Sequence, residues 1–456
     1  MVIILKLTKY NRKRNFSKTK EPIGKISKPN KKLKFCVQHH LARKDHFDLR
    51  LEHNGTMLSW AVPKGPSYNP KDKRLAVHVE DHPISYRTFE GTIPAGEYGG
   101  GTVSLFDEGY YEKVKYEKNL IKFILHGKRL KGMWTLTHFK DNNWLLIKDK
   151  DYFENYIDIK KYKRSIKTGR TFEEIKNNSK NKTIEITNKD KKIIDNITKN
   201  DIINYYKKVE NRMMPYLENR PISVIRAPSG VKNGTFYKKH LENKDGYLEK
   251  INITSKSDKE KDYYYYILDK LGLLSEVQMN SYEFHVWGAN ASKINSPNMM
   301  VFDLDPDEKL PIDTLRQGVK DLKEILDNIN LKSYLKTSGG KGYHIVVPIN
   351  TKISWTKFYK ISENIALLME STYPDKYTTN IRKDARKGKI FIDYLRNQKG
   401  ATSVAPYSIR LKKNAPVSMP IAWNELDKIK PNEITMDKAI QRLKKKDTWE
   451  DFFTSN

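Results

Sequence analysis

Two groups of residues in this sequence have the types and spacing to build a metal and phosphate site. The first is Gln38-His39-His40, then His46-Phe47-Asp48-Leu49-Arg50-Leu51-Glu52. Side chains alternate across a strand. A strand over 46–52 therefore sets His46, Asp48, Arg50 and Glu52 on one side and Phe47, Leu49 and Leu51 on the other. A neighbouring strand over 34–40 adds His40. Imidazole plus carboxylate suits Mn²⁺ or Zn²⁺, and a guanidinium beside them suits a phosphate. Residues 74–81 read the same way, with Leu75, Val77 and Val79 inward, His78 and Glu80 opposite, and His82 just beyond. Polar outer faces are ordinary in sheets, but they seldom gather His40, His46, Asp48, Arg50 and His82 together.

The second group starts at Met299-Met300-Val301-Phe302-Asp303-Leu304-Asp305-Pro306, an apolar run ending in two carboxylates. As a strand it puts Asp303 and Asp305 on one face, with Pro306 stopping it. Phe391-Ile392-Asp393-Tyr394-Leu395 embeds a third acid in a second apolar strand. Ionised acids in apolar surroundings are costly unless paired or metal-bound. Three that converge call for Mg²⁺ or Mn²⁺ shared with substrate phosphates. Ser338-Gly339-Gly340-Lys341-Gly342-Tyr343-His344 follows a strand-like stretch over 332–337. Its glycines let backbone N–H groups approach phosphates, and Ser338, Lys341 and His344 add donors. The spacing is not that of a Walker loop. Ala401-Thr402-Ser403-Val404-Ala405-Pro406-Tyr407-Ser408-Ile409-Arg410 brings an arginine suited to gripping a triphosphate.

These residues need two different scaffolds. Residues 1–33 are basic and lack apolar periodicity, and read as an arm. Residues 34–155 carry short alternating runs and turn signals such as Asn54-Gly55 and Gly99-Gly100-Gly101, predicting a mostly-β, barrel-like domain. The Lys, Asn and Ser-rich stretch 156–183 predicts a linker. Residues 184–456 predict a mixed α/β domain. There Leu315, Val319, Leu322, Leu326 and Ile329 repeat at helical spacing, as do Phe358, Ile361, Ile365 and Leu368. The fold class is thus α+β and multidomain.

Composition narrows the partners. The 456 residues carry 86 Lys and Arg against 55 Asp and Glu, a formal charge of +31. With no basic amphipathic anchor helix in sight, that balance points to DNA or RNA more than to a membrane surface. Lys, Asn and Ile are abundant throughout, so charge by itself is weak evidence. No run approaches the ~20 apolar residues of a membrane span, and the N-terminal apolar run is too short for a signal peptide. The one cysteine, Cys36, excludes an internal disulfide framework and a Cys-rich zinc site. A cytoplasmic location is expected.

Several long strings, in order, resemble a known family. His46-Phe47-Asp48-Leu49-Arg50-Leu51-Glu52, Ser59-Trp60-Ala61-Val62-Pro63-Lys64-Gly65-Pro66, His78-Val79-Glu80-Asp81-His82-Pro83 and Phe89-Glu90-Gly91-Thr92-Ile93-Pro94-Ala95-Gly96-Glu97-Tyr98 are similar to the 3′-phosphoesterase module of bacterial DNA ligase D. The resemblance implies a Mn²⁺ held by His40, His46 and Asp48. It implies phosphate contacts from Gln38, Arg50, Lys64, Arg74 and His82, with Glu80 in support. In the arm, Arg14 and Glu21 match, while Asn15 stands where the family has Asp. His82 is implied either to stabilise phosphate directly or to act as an acid.

The second group resembles the polymerase domain of the same family, within the archaeo-eukaryotic primase superfamily. Arg220-Pro221, Arg226-Ala227-Pro228-Ser229-Gly230, Lys239-His240 and His285-Val286-Trp287-Gly288 extend the match. The resemblance implies Asp303, Asp305 and Asp393 as ligands of Mn²⁺ or Mg²⁺, and Ser338, Lys341, His344 and Arg410 on an incoming NTP or dNTP. Lys239 and His285 match positions near the active site. Lys191 and Lys199 resemble lysines that bind a 5′-phosphate across a DNA gap, although the loop between them is shorter and lacks the family's Pro and Gly. A nucleotidyl-transferring ligase needs Lys-x-Asp-Gly, and Lys244-Asp245-Gly246 lacks the spacer.

The expectation is a DNA-end processing enzyme of bacterial nonhomologous end joining. It would trim 3′ ends, removing terminal ribonucleosides and 3′-phosphate, and extend them with nucleotides. Its expected partners are DNA ends, gapped duplex with a 5′-phosphate, a Ku-like protein and a separate DNA ligase. A primase-polymerase of a mobile element and a non-catalytic DNA-end scaffold are the alternatives.

Overall fold

The computed structural model describes residues 7–181, 184–243, 246–253 and 262–455. Lys244 and Asp245, from the ligase-like string, lie outside them. The chain divides into two compact units, with the division between Thr183 and Ile184.

In the first unit eight antiparallel strands close into a barrel. In order around it they are β1 (Lys34–Leu41), β2 (Asp45–His53), β3 (Thr56–Val62), β4 (Arg74–His78), β10 (Asn143–Lys148), β9 (Lys131–Lys140), β8 (Leu120–Gly127) and β7 (Gly101–Glu117), which pairs back onto β1. The two short strands between β4 and β7, β5 (His82–Pro83) and β6 (Gly91–Ile93), add onto β3 and β7. Closure leaves little room inside. Val37, Phe47, Leu49, Val62, Leu125, Trp134 and Leu146 fill the interior.

The alternation expected on β2 is present, but its polar face is not open to solvent: Asp48, Arg50 and Glu52 are buried, as are Phe47, Leu49 and Leu51. The cover is the segment read as an arm, which folds back with a short helix α1 (Thr8–Arg12). Leu7 and Tyr10 pack with Tyr86, Phe89, Ile93 and Val103 into a small second core. Residues 156–181 are likewise no free linker. Ile157, Ile159, Tyr162 and Ile175 are buried, and helix α2 (Phe172–Lys176) is fixed by a Thr171–Glu174 capping box. Glu90 accepts bonds from Ser165, Thr168 and Arg170 of this segment. A few large side chains and a few buried acids anchor the two segments, which a search for periodicity passes over.

The facing expected for 74–81 is reversed within the strand Arg74–His78, while Glu80 and His82 beyond it face the outer side as expected. Trp60 pairs with both Leu49 and His78, which turns His78 and Ala76 toward the interior. Ala76 is wholly buried, whereas Leu75 is 41% exposed.

The second unit holds two sheets, the first antiparallel and the second mixed through one parallel pair. One runs Glu249–Ile253, Asp262–Tyr266, Pro221–Arg226, Ser281–Trp287, Thr402–Val404; the other runs Tyr377–Thr378, Ile390–Asp393, Met299–Pro306, Tyr343–Pro348, Tyr334–Thr337, Pro420–Ile421. The strand from Met299 ends at Pro306, as expected. Helices α3 (Lys199–Leu217), α4 (Lys270–Gln278), α5 (Ile312–Asn328), α6 (Trp355–Thr372) and α7 (Met436–Arg442) complete the unit. Leu315, Val319, Leu322 and Leu326 face the core from α5, but Ile329 lies past its end, 46% exposed. On α6 the buried stripe is Phe358, Ile365, Ala366 and Met369, and Leu368 points outward.

Candidate active sites

On the outer face of β1 and β2, His40 stands opposite His46 and Gln38 opposite Asp48. Partners in an antiparallel pair share a face. The two imidazole centroids are 4.8 Å apart. One ligand atom from each of His40, His46 and Asp48 lies within 4.8 Å of the other two. Among the described residues no other group of three or more His, Cys, Asp or Glu converges so closely. His46 Nδ1 donates to the Lys44 carbonyl at 2.9 Å, which leaves its Nε2 facing Asp48 Oδ1 at 3.7 Å. His40 Nε2 is buried with no hydrogen-bond partner. Burial, with His46 and Arg50 nearby, lowers the pKa of His40 and keeps it neutral despite Asp48. Two imidazoles, a carboxylate and a buried ring nitrogen without a partner fit a divalent cation. Gly99, at φ +76°, lays its backbone over this spot; a Cβ there would come within 3.8 Å of His40 Cε1.

Beside the triad, Arg50 is fixed by three bonds: Nε to Gln38 Oε1 at 2.9 Å, Nη1 to Ser59 Oγ at 2.8 Å and Nη2 to Asp48 Oδ2 at 3.1 Å. Its guanidinium lies 4.9 Å from the Tyr86 ring centroid. Gln38 in turn donates to the Tyr86 and Phe89 carbonyls. His82 Nδ1 donates to the Glu80 carbonyl at 2.9 Å, and its Nε2 accepts from Arg14 Nη2 at 3.2 Å. Burial first, then the charges of Arg50 and Arg14, hold the His82 pKa well below its usual value. His82 is therefore neutral, with its lone pair on the Arg14 side. Arg14 also binds Glu21 at 2.9 Å and Glu80 at 3.5 Å. The arm thus belongs to the site. Asn15 Oδ1 accepts from Ser17 N and Oγ in a local turn where an aspartate would accept the same bonds.

Gln38, His40, His46, Asp48, Arg50, Glu80, His82, Arg14 and Glu21 form one connected cluster. Lys64 and Arg74 stand outside it. Lys64 is exposed, two residues past Val62, the partner of Phe47. Arg74 is held by Asp72 at 2.8 Å.

In the second unit Asp303 is paired in register with both Asp393 and His344, and Asp305 follows on the same face. Asp303 Oδ2 meets His344 Nε2 at 3.2 Å, while its Oδ1 is buried with no hydrogen-bond partner. Asp393 pairs with Arg396 at 2.9 Å. The electrostatics split the acids. Burial opposes ionisation of Asp303, but His344, Arg396 and Lys336 pull its pKa down to about 2. Burial and the charges of Asp303 and Asp393 push Asp305 up to about 7. Like charges crowded into a half-buried site behave so when no cation offsets them, and the orphaned Asp303 oxygen fits one. Asp305 and Asp393 line an open cleft of about 500 Å³ with Tyr237, Ile381, Arg386 and Arg396.

The glycine loop lies against this face. A Cβ on Gly342 would fall 2.1 Å from the Leu304 carbonyl oxygen, so only glycine lets the turn approach Asp303. Arg410 Nη1 donates to the Ser338 carbonyl at 2.7 Å, and its Nε to Glu283 at 2.8 Å. Glu283 also accepts from His285 at 2.9 Å, so Arg410 and His285 are held by one carboxylate. Lys341 is exposed and pairs with Glu308. Lys239 Nζ lies 5.1 Å from the Tyr264 ring centroid. Lys199 N donates to the Lys191 carbonyl at 2.8 Å, Lys199 Nζ to the Gln278 carbonyl at 2.8 Å, and Lys191 Nζ to the Pro228 carbonyl. Burial and the neighbouring Lys191 charge lower the Lys199 pKa to about 8.

Sequence reasoning did not single out Glu283, Lys336, Arg396, Ser59 or Tyr86. Glu283 and Lys336 are charged residues inside apolar strands, the same pattern that marked Asp303 and Asp393. Ser59 and Tyr86 carry no such mark.

Residues 198–449, more than half of the chain, match the family described as LigD, primase-polymerase domain. Residues 38–138 match the DNA ligase D 3′-phosphoesterase domain. The multifunctional non-homologous end joining protein LigD of Pseudomonas aeruginosa is 31% identical over 56% of this chain and 31% of its own length. The Mycobacterium tuberculosis (strain H37Rv) DNA repair protein LigD is 43% identical over 31% of this chain and 19% of its own. The bifunctional Bacillus subtilis LigD is 30% identical over 54% and 40%. The chain thus spans less than half the length of these relatives. The solved polymerase domain of Mycobacterium tuberculosis ligase D in complex with DNA covers 59% of this chain and 98% of its own, with a TM-score of 0.55 and 27% identity.

Proposed function

The chain belongs to the LigD family, carrying its 3′-phosphoesterase and primase-polymerase domains, and from that premise we propose that it processes DNA 3′ ends for nonhomologous end joining. The observation that carries the reading is the presence, in two separate units, of two different donor sets: His40, His46 and Asp48 in one, Asp303, Asp305 and Asp393 in the other.

In the first unit His40, His46 and Asp48 hold a divalent cation, Mn²⁺ by family resemblance. When bound, the cation supplies Lewis-acid polarisation of a phosphoryl oxygen. Arg50, preset by Gln38, Ser59 and Asp48, offers positive charge where the phosphoryl group gains negative charge. His82, neutral and facing Arg14, orients that arginine. In this state it acts through Arg14, because both of its candidate roles, contacting a phosphate or acting as an acid, need a proton on Nε2. The reaction class is removal of a terminal 3′-ribonucleoside or 3′-phosphate.

In the second unit Asp303, Asp305 and Asp393 hold Mn²⁺ or Mg²⁺, which lowers the cost of deprotonating a primer 3′-hydroxyl and offsets charge on the nucleotide. Arg410 and Ser338 bind the NTP or dNTP phosphates and Lys341 reaches them from the rim, while His344, which the resemblance also put on the nucleotide, has both ring nitrogens engaged by Lys336 and Asp303. Lys239 and His285 support the nucleotide side. Lys191 and Lys199, each retaining further N–H donors, bind the 5′-phosphate of a gapped duplex. A Ku-like protein and a separate DNA ligase complete the proposed pathway.

The test is a primer–template whose primer ends in one ribonucleotide, incubated with Mn²⁺. The reading predicts a shortened primer without NTPs and lengthened products with them. A primer unchanged under both conditions contradicts it.

A further inference from the structure

Lys336 is a lysine with nowhere ordinary to be. It lies in the strand Tyr334–Thr337, 1% exposed, between Leu335 and Thr337, which are also buried. Its Nζ reaches two groups: Ser418 Oγ at 2.7 Å and His344 Nδ1 at 2.9 Å. In register Lys336 stands opposite His344, and His344 opposite Asp303. Three adjacent strands thus carry a straight line from lysine to imidazole to carboxylate.

An amine bearing its hydrogens toward Nδ1 needs a lone pair there. The imidazole proton is then on Nε2, which donates to Asp303 Oδ2 at 3.2 Å. That bond occupies one carboxylate oxygen and leaves Oδ1, which has no hydrogen-bond partner among the described residues. Were the proton on Nδ1 instead, Nε2 would turn a lone pair toward a carboxylate, which is repulsive whatever the charge of the lysine.

We infer that Lys336 is a positioning residue of the polymerase site: it fixes the tautomer and ring orientation of His344, so that His344 holds one oxygen of Asp303 and presents the other to the cation. The inference deepens the proposed polymerase reading and rests on Asp303 being a metal ligand. Removal of such an outer partner typically costs 10- to 100-fold in metal affinity or activity. Ser418, which accepts from Lys336 and donates to the Thr337 carbonyl at 3.1 Å, keeps the lysine aimed.

The test compares the full-length chain with Lys336→Met, which keeps the length of the side chain and removes its donor. Nitrogen-15 NMR of the histidine rings, with His344 assigned by its loss in His344→Phe, reads the tautomer without any turnover. The expected result is an Nε2–H tautomer in the unsubstituted chain that is lost in Lys336→Met, together with a 10- to 100-fold rise in the Mn²⁺ concentration giving half-maximal primer extension. A proton on Nδ1 in the unsubstituted chain overturns the inference, and needs no variant to fold. So does a Lys336→Met protein that keeps the Nε2–H tautomer, whether or not its Mn²⁺ demand rises, because the lysine would then act by packing or charge alone. An unsubstituted chain with the Nε2–H tautomer but no extension at any Mn²⁺ concentration removes the polymerase reading and the inferred role with it, while leaving the hydrogen-bond assignment standing.

Discussion

His40 and His46 stand directly opposite each other across β1 and β2, their ring centroids 4.8 Å apart. Neither gains from the other as a neighbour, since a second protonated imidazole at that distance repels the first. With Asp48 on the same face, the three make a donor set of the kind the proposed cation needs. The second site offers another donor set, oxygens from Asp303, Asp305 and Asp393.

Those donor sets predict different metal demands. After chelation with EDTA, both activities are lost. Mn²⁺ restores both, whereas Mg²⁺, which prefers all-oxygen octahedral sites, restores extension and leaves trimming at a tenth or less of its Mn²⁺ rate. Paired rate measurements in the two metals check this, and equal trimming in Mg²⁺ would speak against imidazole ligation.

The arm is predicted to matter for the first activity alone. Arg14→Ala removes the cation that faces Glu21, Glu80 and the His82 lone pair, with its side chain only 5% exposed. Breaking a buried pair by deleting one partner costs about 3 kcal/mol or more. Trimming should fall by at least tenfold and the first unit should melt earlier, with extension unchanged. Calorimetry and the two rate assays decide it; a variant that trims normally would detach the arm from the site.

The 5′-phosphate preference is predicted to titrate. Lys199 carries a pKa lowered to about 8. It is charged below that value and loses its charge as pH rises through it, whereas an ordinary lysine stays charged to beyond pH 10. Charge-assisted contacts contribute about 1.5–3 kcal/mol, so about a tenfold preference for a phosphorylated gap is expected near pH 7. It should shrink between pH 7 and 9 and be absent in a Lys191→Ala, Lys199→Ala double variant. Fluorescence anisotropy with gaps bearing or lacking the phosphate, at fixed salt, measures it. A preference constant across that pH range would remove Lys199 from the contact.

Much of both sites is legible in the sequence because strand alternation is a strict rule. Once 46–52 is read as a strand, His46, Asp48 and Arg50 must share a side, and Asp303 and Asp305 follow likewise. The same rule misplaces Leu75 and His78, because it gives the alternation but not which side is inside. The pairing of Trp60 with Leu49 and His78 decides that. The arm and the 156–181 segment are illegible for another reason. Their burial depends on single side chains such as Tyr10 and Tyr162, and on long-range bonds from Glu80 and Glu90, none of which leaves a period. Lys336 and Glu283 were within reach: a charge inside an apolar strand is informative whichever its sign.

The central claim is that one chain carries two independent reaction centres. One gel tests it most directly: a primer–template with a 3′-terminal ribonucleotide, Mn²⁺ and NTPs, given to the unsubstituted chain, Asp305→Ala and His46→Ala. The account predicts that Asp305→Ala trims but does not extend, and that His46→Ala extends but does not trim. Loss of both activities together in either variant, with its fold intact, would contradict it.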